Sequence, residues 1–388
     1  MLYYIYMTTL LVYPSKLIYK LKLYFAIFRI SRILNLTVVK INKVNKVYGS
    51  KTNSYILICK NSSDVKVKYF LKFQPSNHTL NEYKGTEFLK EQIPVPKVIL
   101  HNIQHGWILF EFIDGRLMIE EFLKAKSNSE VKKILDQESV KENLIRKLHS
   151  ETTRKISYED YVNTATNRLF QQRLFGAHYN LFYRQPEGVQ KYFDCKIIIN
   201  GKEFPYTINQ IIDTIKNKYS HPHQLPITAI KSHGDAHHGN IIVNKKVWFI
   251  DNEYSGYTTP FMEMAKPYYN DLFGFLFFTN CRYLYKMFDI QVTKNTSKLD
   301  YKIRYLTGLY KFIECTKIKI SKRKDTCNPY TMDPLHLNDY LVLCHLLTRN
   351  PNILPEKIKM LFIAFTVILF DFDPFDPDEL ESYFVSMK

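Results

Sequence analysis

The sequence has 388 residues, of which 46% are hydrophobic, and a formal net charge of +17. This length and apolar content are enough to bury one large core or two modest ones, so we expect a folded protein. The six cysteines are scattered without a C-x-x-C spacing, which excludes a small disulfide-stapled domain and fits a reducing cytoplasm. No zinc-finger, RNP-like or helix-turn-helix pattern accompanies the positive charge, so we expect no nucleic-acid partner.

The N-terminal region is apolar and basic. We expect no cleavable signal, because the start MLYYIYMTTLLVY lacks a positively charged segment and a small-residue cleavage site. Residues 15–34 predict a helix whose basic residues interrupt the apolar stretch, so it does not span a bilayer. A basic, apolar helix without acids suits the surface of an anionic membrane, and the alternative is a helix packed on the body of the protein. We assign residues 1–36 to an N-terminal helical extension.

Residues 37–113 have the pattern of a small β-rich domain. Short β-branched and aromatic runs separated by polar turns predict three strands, TVVKINKV, SYILICK and VKVKYFLKF. The stretch TLNEYKGTEFLKEQ predicts a helix that ends before the prolines of IPVPKVIL. Two further apolar runs, KVIL and WILFEF, complete a predicted five-stranded sheet.

Residues 114–388 are predicted to be mainly helical. The exceptions are a hairpin signal at KIIINGKEF and short strands around residues 233–251. The sequence therefore predicts an α+β fold with a small antiparallel part followed by a large helical part.

Residues 233–240 read HGDAHHGN, and the histidines raise the possibility of a metal site. His233, His237 and His238 lie within six residues, and His221 and His223 are available as further ligands. The spacing does not match H-E-x-x-H or another zinc pattern, which favours core or surface roles for these histidines.

The carboxylates of the same region indicate different chemistry. The apolar runs IIV and VWFI flank NKK and predict a hairpin that brings Asn240 close to Asp251. An Asn carbonyl and a carboxylate are hard oxygen donors, which suit Mg²⁺ that keeps waters and shares substrate phosphates. Asp235 would lie near this cation and remain free to orient an attacking hydroxyl and accept its proton. Protein kinases combine the same three parts.

This region resembles the aminoglycoside phosphotransferase and choline kinase group, which has a two-lobed protein-kinase-like fold. The pattern H-G-D-x-H-x-x-N … I-D of that group is met by His233, Gly234, Asp235, His237, Asn240, Ile250 and Asp251. The resemblance implies ATP or GTP as the phosphate donor, Mg²⁺, a catalytic Asp235, and metal ligands Asn240 and Asp251. It also implies a structural role for His233 in the catalytic loop.

The resemblance extends upstream into the predicted sheet. Lys72 resembles the strand lysine that contacts nucleotide phosphates, and Glu82 resembles its partner on the helix, with Glu87 as the competing partner. An ion pair of this kind fixes an otherwise mobile lysine.

Two further nucleotide contacts are implied by the resemblance. The strand ending in LFEFIDG resembles the hinge, where the backbone of Glu111, Phe112 and Ile113 would bind the adenine edge. In the turn VYGSKTNSY, Ser50 lies where the antibiotic kinases place a serine over the phosphates.

The chain departs from the group in one stretch. GYTTPFMEMA carries Glu263 where the group has Asp, so either Glu263 or the downstream Asp271 is expected to brace the catalytic loop.

The acceptor is the least determined part of the prediction. Residues 282–324 contain twelve Lys or Arg against three acids, a balance of +9, in the region where the group holds its acceptor. Such a field repels polycationic antibiotics, which favours a neutral or anionic hydroxyl compound or glycan. The alternatives are a solvated basic face and, for the protein as a whole, a kinase-like binding module acting at a membrane or a protein partner.

Overall fold

The structure, a computed structural model, describes residues 15–44, 53–183, 188–220, 226–278, 287–305, 309–323 and 335–386. The chain divides into two compact units. Unit 1 comprises Met1–Glu87 and Pro96–Asp114, and unit 2 comprises Phe88–Val95 and Gly115–Lys388.

Unit 1 contains a five-stranded sheet. Its strands are β1 (Thr37–Lys43), β2 (Asn53–Lys60), β3 (Lys66–Phe73), β4 (Val98–Asn102) and β5 (Trp107–Glu111). Its helices are α1 (Ser15–Leu34) and α2 (Ser76–Leu89). The strand order is β1-β2-β3-β5-β4 with antiparallel pairing throughout. All five predicted strands are present, and the predicted helix lies between β3 and β4.

Helix α1 packs on this sheet. Ala26 and Ile30 are fully buried in a core with Leu57, Leu71 and Trp107. The structure therefore favours the packed helix over a free extension. None of the described helices has the length and apolar character needed to cross a membrane.

Unit 2 is mainly helical. Its helices are α3 (Met118–Lys124), α4 (Asn128–Ser150), α5 (Tyr158–Asn163), α6 (Ala165–Phe175), α7 (Ala177–Tyr183), α8 (Ile208–Ser220), α9 (Pro260–Tyr269), α10 (Phe275–Phe278), α11 (Leu309–Arg323), α12 (Leu337–Thr348), α13 (Glu356–Asp371) and α14 (Glu379–Ser382). Helix α9 packs against α12, and α12 packs against α13. The central part of α12 and most of α13 are buried on all sides, which explains their nearly continuous apolar sequences.

Three small sheets complete unit 2. Their strands are β6 (Arg116–Leu117), β7 (Arg154–Ile156), β8 (Lys196–Ile199), β9 (Lys202–Glu203), β10 (Ile227–Ser232), β11 (Ile241–Val243), β12 (Val247–Phe249), β13 (Gly256–Thr258), β14 (Phe288–Lys294), β15 (Lys298–Tyr305) and β16 (Val385–Ser386). The orders are β13-β10-β7, β12-β11-β6 and β14-β15-β8-β9, with β16 on β15. The predicted hairpin at KIIINGKEF is confirmed as β8–β9, and Asn200 and Gly201 adopt the positive φ angles of its turn.

Residues 288–305 are a further exception to the mainly helical region predicted for residues 114–388. These residues form the antiparallel hairpin β14–β15. The period-two signal was present, because Leu299, Tyr301 and Ile303 are buried and alternate with more exposed residues along β15.

The predicted fold class is confirmed. The chain combines a five-stranded antiparallel unit with a larger, mainly helical unit, as in the expected two-lobed protein-kinase-like α+β fold. The four cysteines in the described residues are buried and free.

Candidate active site

The predicted hairpin after residues 233–240 is present as β11–β12. Its register pairs Ile241 with Phe249, so Asn240 lies opposite Ile250. The Ile250 N–H donates to Asn240 O at 3.0 Å, which extends the pairing by one step. Asn240 and Asp251 are thereby held at the same end of the hairpin, as the sequence predicts.

Asp235 and Asn240 are joined through the loop backbone. Asn240 Nδ2 donates to Asp235 O at 3.0 Å, so the carbonyl Oδ1 of Asn240 remains as an acceptor. The carboxylate of Asp235 is mostly buried, and its Oδ1 has no hydrogen-bond partner among the described residues. A buried acceptor without a partner is costly unless a ligand supplies the donor.

Asp251 adopts a left-handed backbone conformation, with φ 64° and ψ 57°. This region costs energy for residues other than glycine, although Asp tolerates it better than most. Backbone strain of this kind concentrates at functional sites, where the surrounding structure enforces it. The conformation begins a 3₁₀ turn, Asn252–Tyr254.

The sharp loop also requires Gly234. Its φ is +76°, and a Cβ at this position would lie 2.3 Å from Tyr254 O. The loop and the segment after Asp251 are therefore in direct backbone contact, which only glycine permits.

Two histidines of the loop, His233 and His237, make hydrogen bonds within this region. The Asp235 N–H donates to His233 Nδ1 at 3.3 Å, and His233 Nε2 donates to Ile250 O at 3.1 Å. Burial lowers the pKa of His233 to about 4, so it is neutral and fixes the loop to the hairpin. His237 Nδ1 accepts from Gly239 N at 3.0 Å. His221 and His223 lie outside the described residues.

Glu263 and Asp271 both brace the loop, at different points. Glu263 Oε2 accepts hydrogen bonds from Ser232 Oγ and from Gly234 N, the latter at 3.0 Å. Asp271 Oδ1 accepts from His238 N at 2.7 Å. Both residues that the sequence left as alternatives therefore bind the loop. Glu263 binds it before Asp235, and Asp271 binds it after Asp235.

Behind Asp271 lies a buried set of charges that sequence reasoning missed, here called the charge cluster. It consists of Glu138, Lys141, Glu142, Asp271, Lys319 and Arg323, all nearly or fully buried. Lys319 Nζ lies 2.7 Å from Glu138 Oε1 and 2.9 Å from Asp271 Oδ2. Three acids balance three bases, so each charge has an opposite partner.

The pKa values in the charge cluster follow from these contacts. Burial by itself would lower the pKa of Lys319, but Asp271 and Glu138 hold it above its usual value. Burial would raise the pKa of Glu138, and Lys141 and Lys319 reverse that direction. These groups stay charged at neutral pH.

One group in this region has metal-ligand spacing. The ligand atoms of Glu138, His238 and Cys315 lie within 4.8 Å of one another. Lys141 and Lys319 both contact the Glu138 carboxylate, at 3.0 and 2.7 Å. Two ammonium groups at this carboxylate repel a divalent cation, so the arrangement is an ion-pair network.

In unit 1, Lys72 is paired with Glu82. The Nζ–Oε2 distance is 2.6 Å, and both side chains are buried. Gln74 Nε2 also donates to Glu82 Oε2, at 2.8 Å. The competing residue Glu87 is exposed, and the structure gives Lys72 the partner that the sequence predicts.

The predicted hinge is partly used by the sheet. The Glu111 N–H donates to Lys97 O at 3.0 Å, and Glu111 Oε1 accepts from Lys97 N at 2.7 Å. A backbone N–H that donates a hydrogen bond to the nucleotide would therefore have to come from Phe112 or Ile113, which are both half-buried. Ser50 lies outside the described residues.

Lys266 was not recognised in the sequence as a site residue. Its Nζ lies 3.3 Å from Asp235 Oδ1 and 4.0 Å from the centroid of the Tyr254 ring. Arg173 is a second nearby cation. Burial lowers its pKa, while the negative charge of Asp235 acts in the opposite direction. The sequence signal was weak, because one lysine in an otherwise apolar helix is hard to distinguish from a solvent-facing residue.

The basic stretch 282–324 does not act as one surface. Lys319 and Arg323 belong to the charge cluster, and Lys311 Nζ donates to Phe122 O at 2.6 Å. Lys317 pairs with Glu314 and Asp378. The balance of +9 counted in the sequence therefore overstates the positive field available to an acceptor.

No family model matches the sequence, and no curated protein matches it. The structure is similar to choline kinase LicA from Streptococcus pneumoniae, at 12% identity and a TM-score of 0.42, over 88% of this chain and 96% of that one. It is also similar to aminoglycoside phosphotransferase APH(4)-Ia in complex with AMP-PNP and hygromycin B. Here the identity is 9% and the TM-score 0.48, over 87% of this chain and 96% of that one.

A macrolide 2′-phosphotransferase, MphH from Brachybacterium faecium, is similar at 9% identity and a TM-score of 0.40, over 83% of this chain and 90% of that one. The choline kinase and the aminoglycoside phosphotransferase belong to the group that residues 233–251 resemble. At such identities the similarity assigns no activity and no substrate to this chain.

Proposed function

We propose that this protein is a Mg²⁺-dependent phosphotransferase that moves the γ-phosphate of ATP, or GTP, to a hydroxyl of a small molecule or glycan. The observation that carries the proposal is the hairpin geometry. One hydrogen bond joins Asn240 to Asp235, and a second joins Asn240 to Ile250, the residue before Asp251. Asp235 Oδ1 receives no hydrogen bond. A buried carboxylate oxygen without a hydrogen bond destabilises a loop that binds no ligand.

Asp235 is proposed as the group that receives the acceptor proton. As the acceptor oxygen bonds to the transferred phosphorus, its proton passes to the Asp235 carboxylate. The bond from that phosphorus to the departing nucleoside diphosphate breaks, and its electron pair leaves on the diphosphate. His233, Glu263 and Asp271 hold the loop in place during this step.

Asn240 Oδ1 and the Asp251 carboxylate are proposed to hold Mg²⁺. One carbonyl and one carboxylate fit this cation, since it keeps several waters and shares phosphate oxygens. The bound cation would offset the negative charge of the phosphates. In unit 1, Lys72 is proposed to bind nucleotide phosphates while Glu82 positions it. Ser50 and the backbone of Phe112 and Ile113 are the remaining nucleotide contacts of the proposal.

The proposed location is the cytoplasm, and the proposed acceptor is neutral or anionic. The structurally similar proteins named above are a choline kinase, a phosphotransferase in complex with hygromycin B, and a macrolide phosphotransferase. For this chain, we expect the residues around Asp235 to select the acceptor.

The test is nucleotide turnover with and without Mg²⁺, measured over a panel of sugars, amino alcohols and glycans. Metal-dependent transfer to a hydroxyl is expected for at least one acceptor. Nucleotide binding without transfer to any acceptor would favour the alternative, a kinase-like binding module. Absence of both binding and transfer would contradict the proposal.

We also propose that α1 contacts an anionic membrane peripherally. The face opposite Ala26 and Ile30 exposes the apolar residues Leu21, Tyr24, Phe25 and Phe28. Their spacing of 3, 1 and 3 residues places them in one stripe. The exposed basic residues Lys20, Lys22 and Arg32 surround it, and the helix contains no acid. Aromatic and basic side chains together suit the headgroup region of a negatively charged bilayer.

Sedimentation with vesicles tests this contact. Wild-type protein is expected to bind vesicles that contain phosphatidylserine and to bind pure phosphatidylcholine weakly. The double variant Tyr24→Ser with Phe28→Ser should lose this binding. Val140→Ser, at an exposed apolar residue of α4, is the matched control. Equal sedimentation of all three proteins would contradict the membrane contact.

A further inference from the structure

Lys266 is an unusual buried lysine. Only 5% of the residue is exposed, and its ammonium group makes no hydrogen bond within the described part of the chain. Asp235 Oδ1 lies 3.3 Å away but outside hydrogen-bond geometry, and the Tyr254 ring lies beneath the charge. The ammonium group thus forms one ion pair in a largely buried position, without a hydrogen bond.

The other buried lysines are treated differently by the fold. Lys72, Lys141 and Lys319 each lie within 3.1 Å of a carboxylate oxygen. Burying an ammonium group is costly unless it is paired and hydrogen-bonded. Lys72 and Lys319 are both paired and hydrogen-bonded, and Lys141, whose Nζ makes no hydrogen bond, forms ion pairs with Glu138 and Glu142 at 3.0 and 3.1 Å. Lys266 has one carboxylate, Asp235, at 3.3 Å and no hydrogen bond to it, so this single ion pair compensates its burial less than the contacts of the other three lysines.

The missing hydrogen bond concerns both groups. Asp235 Oδ1 is a buried acceptor that receives no hydrogen bond, and Lys266 Nζ, although ion-paired with it at 3.3 Å, donates none to it. Both are satisfied by one ligand that brings a hydroxyl to Asp235 and a negatively charged oxygen to Lys266. Charge-assisted hydrogen bonds from ammonium to oxyanion are about twice as strong as neutral ones.

We infer that Lys266 is a further catalytic residue, whose ammonium group binds a phosphate-type oxyanion beside Asp235. The placement of the reaction at Asp235 rests on the proposed function, but the anion binding does not. The oxyanion has two possible sources. It is either the phosphoryl group under transfer or an anionic substituent of the acceptor, and both present the same chemistry to Lys266.

Anion binding is tested first, without turnover. Calorimetric titration with inorganic phosphate compares wild type, Lys266→Met, Lys266→Arg and the control Lys132→Met, at an exposed lysine of α4. Lys266→Met keeps the length of the side chain and should weaken phosphate binding at least about tenfold, since it removes a charged hydrogen bond. Lys266→Arg and Lys132→Met should retain binding.

A melting curve for each variant confirms that it is folded before titration. Unchanged phosphate affinity in folded Lys266→Met would overturn the inference. If Lys266→Met loses phosphate binding but no acceptor is ever phosphorylated, the anion site stands while the proposed function fails. The two failures are therefore distinguishable.

Kinetics then separate the two sources of the oxyanion. A hexose and its 6-phosphate are compared as acceptors, provided both are turned over. A fall in kcat for both acceptors in Lys266→Met, with KM unchanged, identifies the phosphoryl group under transfer. A rise in KM confined to the hexose phosphate identifies the acceptor's own anion. If neither kcat nor KM changes, Lys266 only balances the charge of Asp235, and the inference is wrong.

Discussion

The catalytic loop at residues 233–240 is held differently on its two sides. On one side, Asp271 and the charge cluster offer buried charges that are all paired, three acids against three bases. On the other side, Asp235 and Lys266 lie 3.3 Å apart without a hydrogen bond. On the side of the charge cluster several short ion pairs compensate each buried charge, whereas on the side of Lys266 a single ion pair lies outside hydrogen-bond geometry.

This difference separates scaffold from chemistry. A fully paired buried network fixes geometry, and removing one member leaves an uncompensated charge, so its loss should appear in stability. A polar side chain with an atom that makes no hydrogen bond adds little to stability and is available to a ligand. Replacing such a side chain should therefore change binding or turnover.

The largest effect is expected at Asp235. Asp235→Asn should lower transfer by at least about 10³-fold, because the amide does not accept the acceptor proton. Nucleotide affinity should stay nearly unchanged, since the residue is not proposed as a metal ligand. Single-turnover kinetics and calorimetry measure the two quantities. Asp213→Asn, at an exposed carboxylate of α8, is the control.

Equal loss of nucleotide binding and transfer in Asp235→Asn would contradict the assigned role. Asp251→Asn is expected to behave in the opposite way, weakening the affinity for the Mg²⁺–nucleotide complex. A variant with unchanged affinity would remove Asp251 from the proposed metal site.

The next effect concerns unit 1. Lys72→Ala should reduce turnover by roughly 10²- to 10³-fold, because an ammonium group proposed to contact the phosphates is lost. Glu82→Gln should cost less, since Glu82 only positions the lysine. Glu87→Gln should leave kcat unchanged, because Glu87 is exposed and Lys72 is paired with Glu82. A larger loss for Glu87→Gln than for Glu82→Gln would show that the partner is wrongly assigned.

Substitutions in the charge cluster should lower the free energy of unfolding. Lys319→Met leaves Glu138 and Asp271 buried without their closest shared cation, which should cost about 3–5 kcal/mol in the free energy of unfolding. Urea denaturation measures this cost, with the exposed Lys132→Met as control. A change below about 1 kcal/mol would mean that the cluster is not a compensated network.

The side of the loop that contains Asp235 was easier to predict from the sequence than the side that contains the charge cluster. Asp235, Asn240 and Asp251 lie within seventeen consecutive residues, and the hairpin that joins them follows from local strand periodicity. The charge cluster combines α4, the segment after α9, and α11, up to 185 residues apart in sequence. Nothing local distinguishes its lysines from solvated ones, so residues 282–324 were counted as a positive field.

The fold shows the same division. The sheet of unit 1 was predictable because each strand is a short alternating run between turn residues, with the helix marked by the prolines that follow it. The hairpin at residues 288–305 was missed although β15 alternates buried and exposed positions. Lys266 was missed because its significance depends on the absence of a hydrogen bond, which only coordinates reveal.

The smallest effect is expected from pH, at a buried histidine whose partners are complete. His345 Nδ1 accepts from the Tyr269 hydroxyl at 2.9 Å, and its Nε2 donates to Phe362 O at 2.8 Å. Both nitrogens are satisfied in the neutral ring, and burial lowers the pKa of His345 to about 3. By the comparison above, this residue should affect stability and leave catalysis unchanged.

Because the folded pKa lies below the unfolded value of about 6.5, the unfolded state binds more protons between these values. Stability should therefore fall as the pH is lowered below about 6.5, by about 1.4 kcal/mol per unit for this group, or about 2 kcal/mol at pH 5. The measurement is urea denaturation at pH 7 and pH 5 for wild type and His345→Gln. The variant is less stable at pH 7 but should lose less on acidification, by about that difference. An equal pH dependence in both proteins would show that His345 does not titrate as a neutral, fully bonded group.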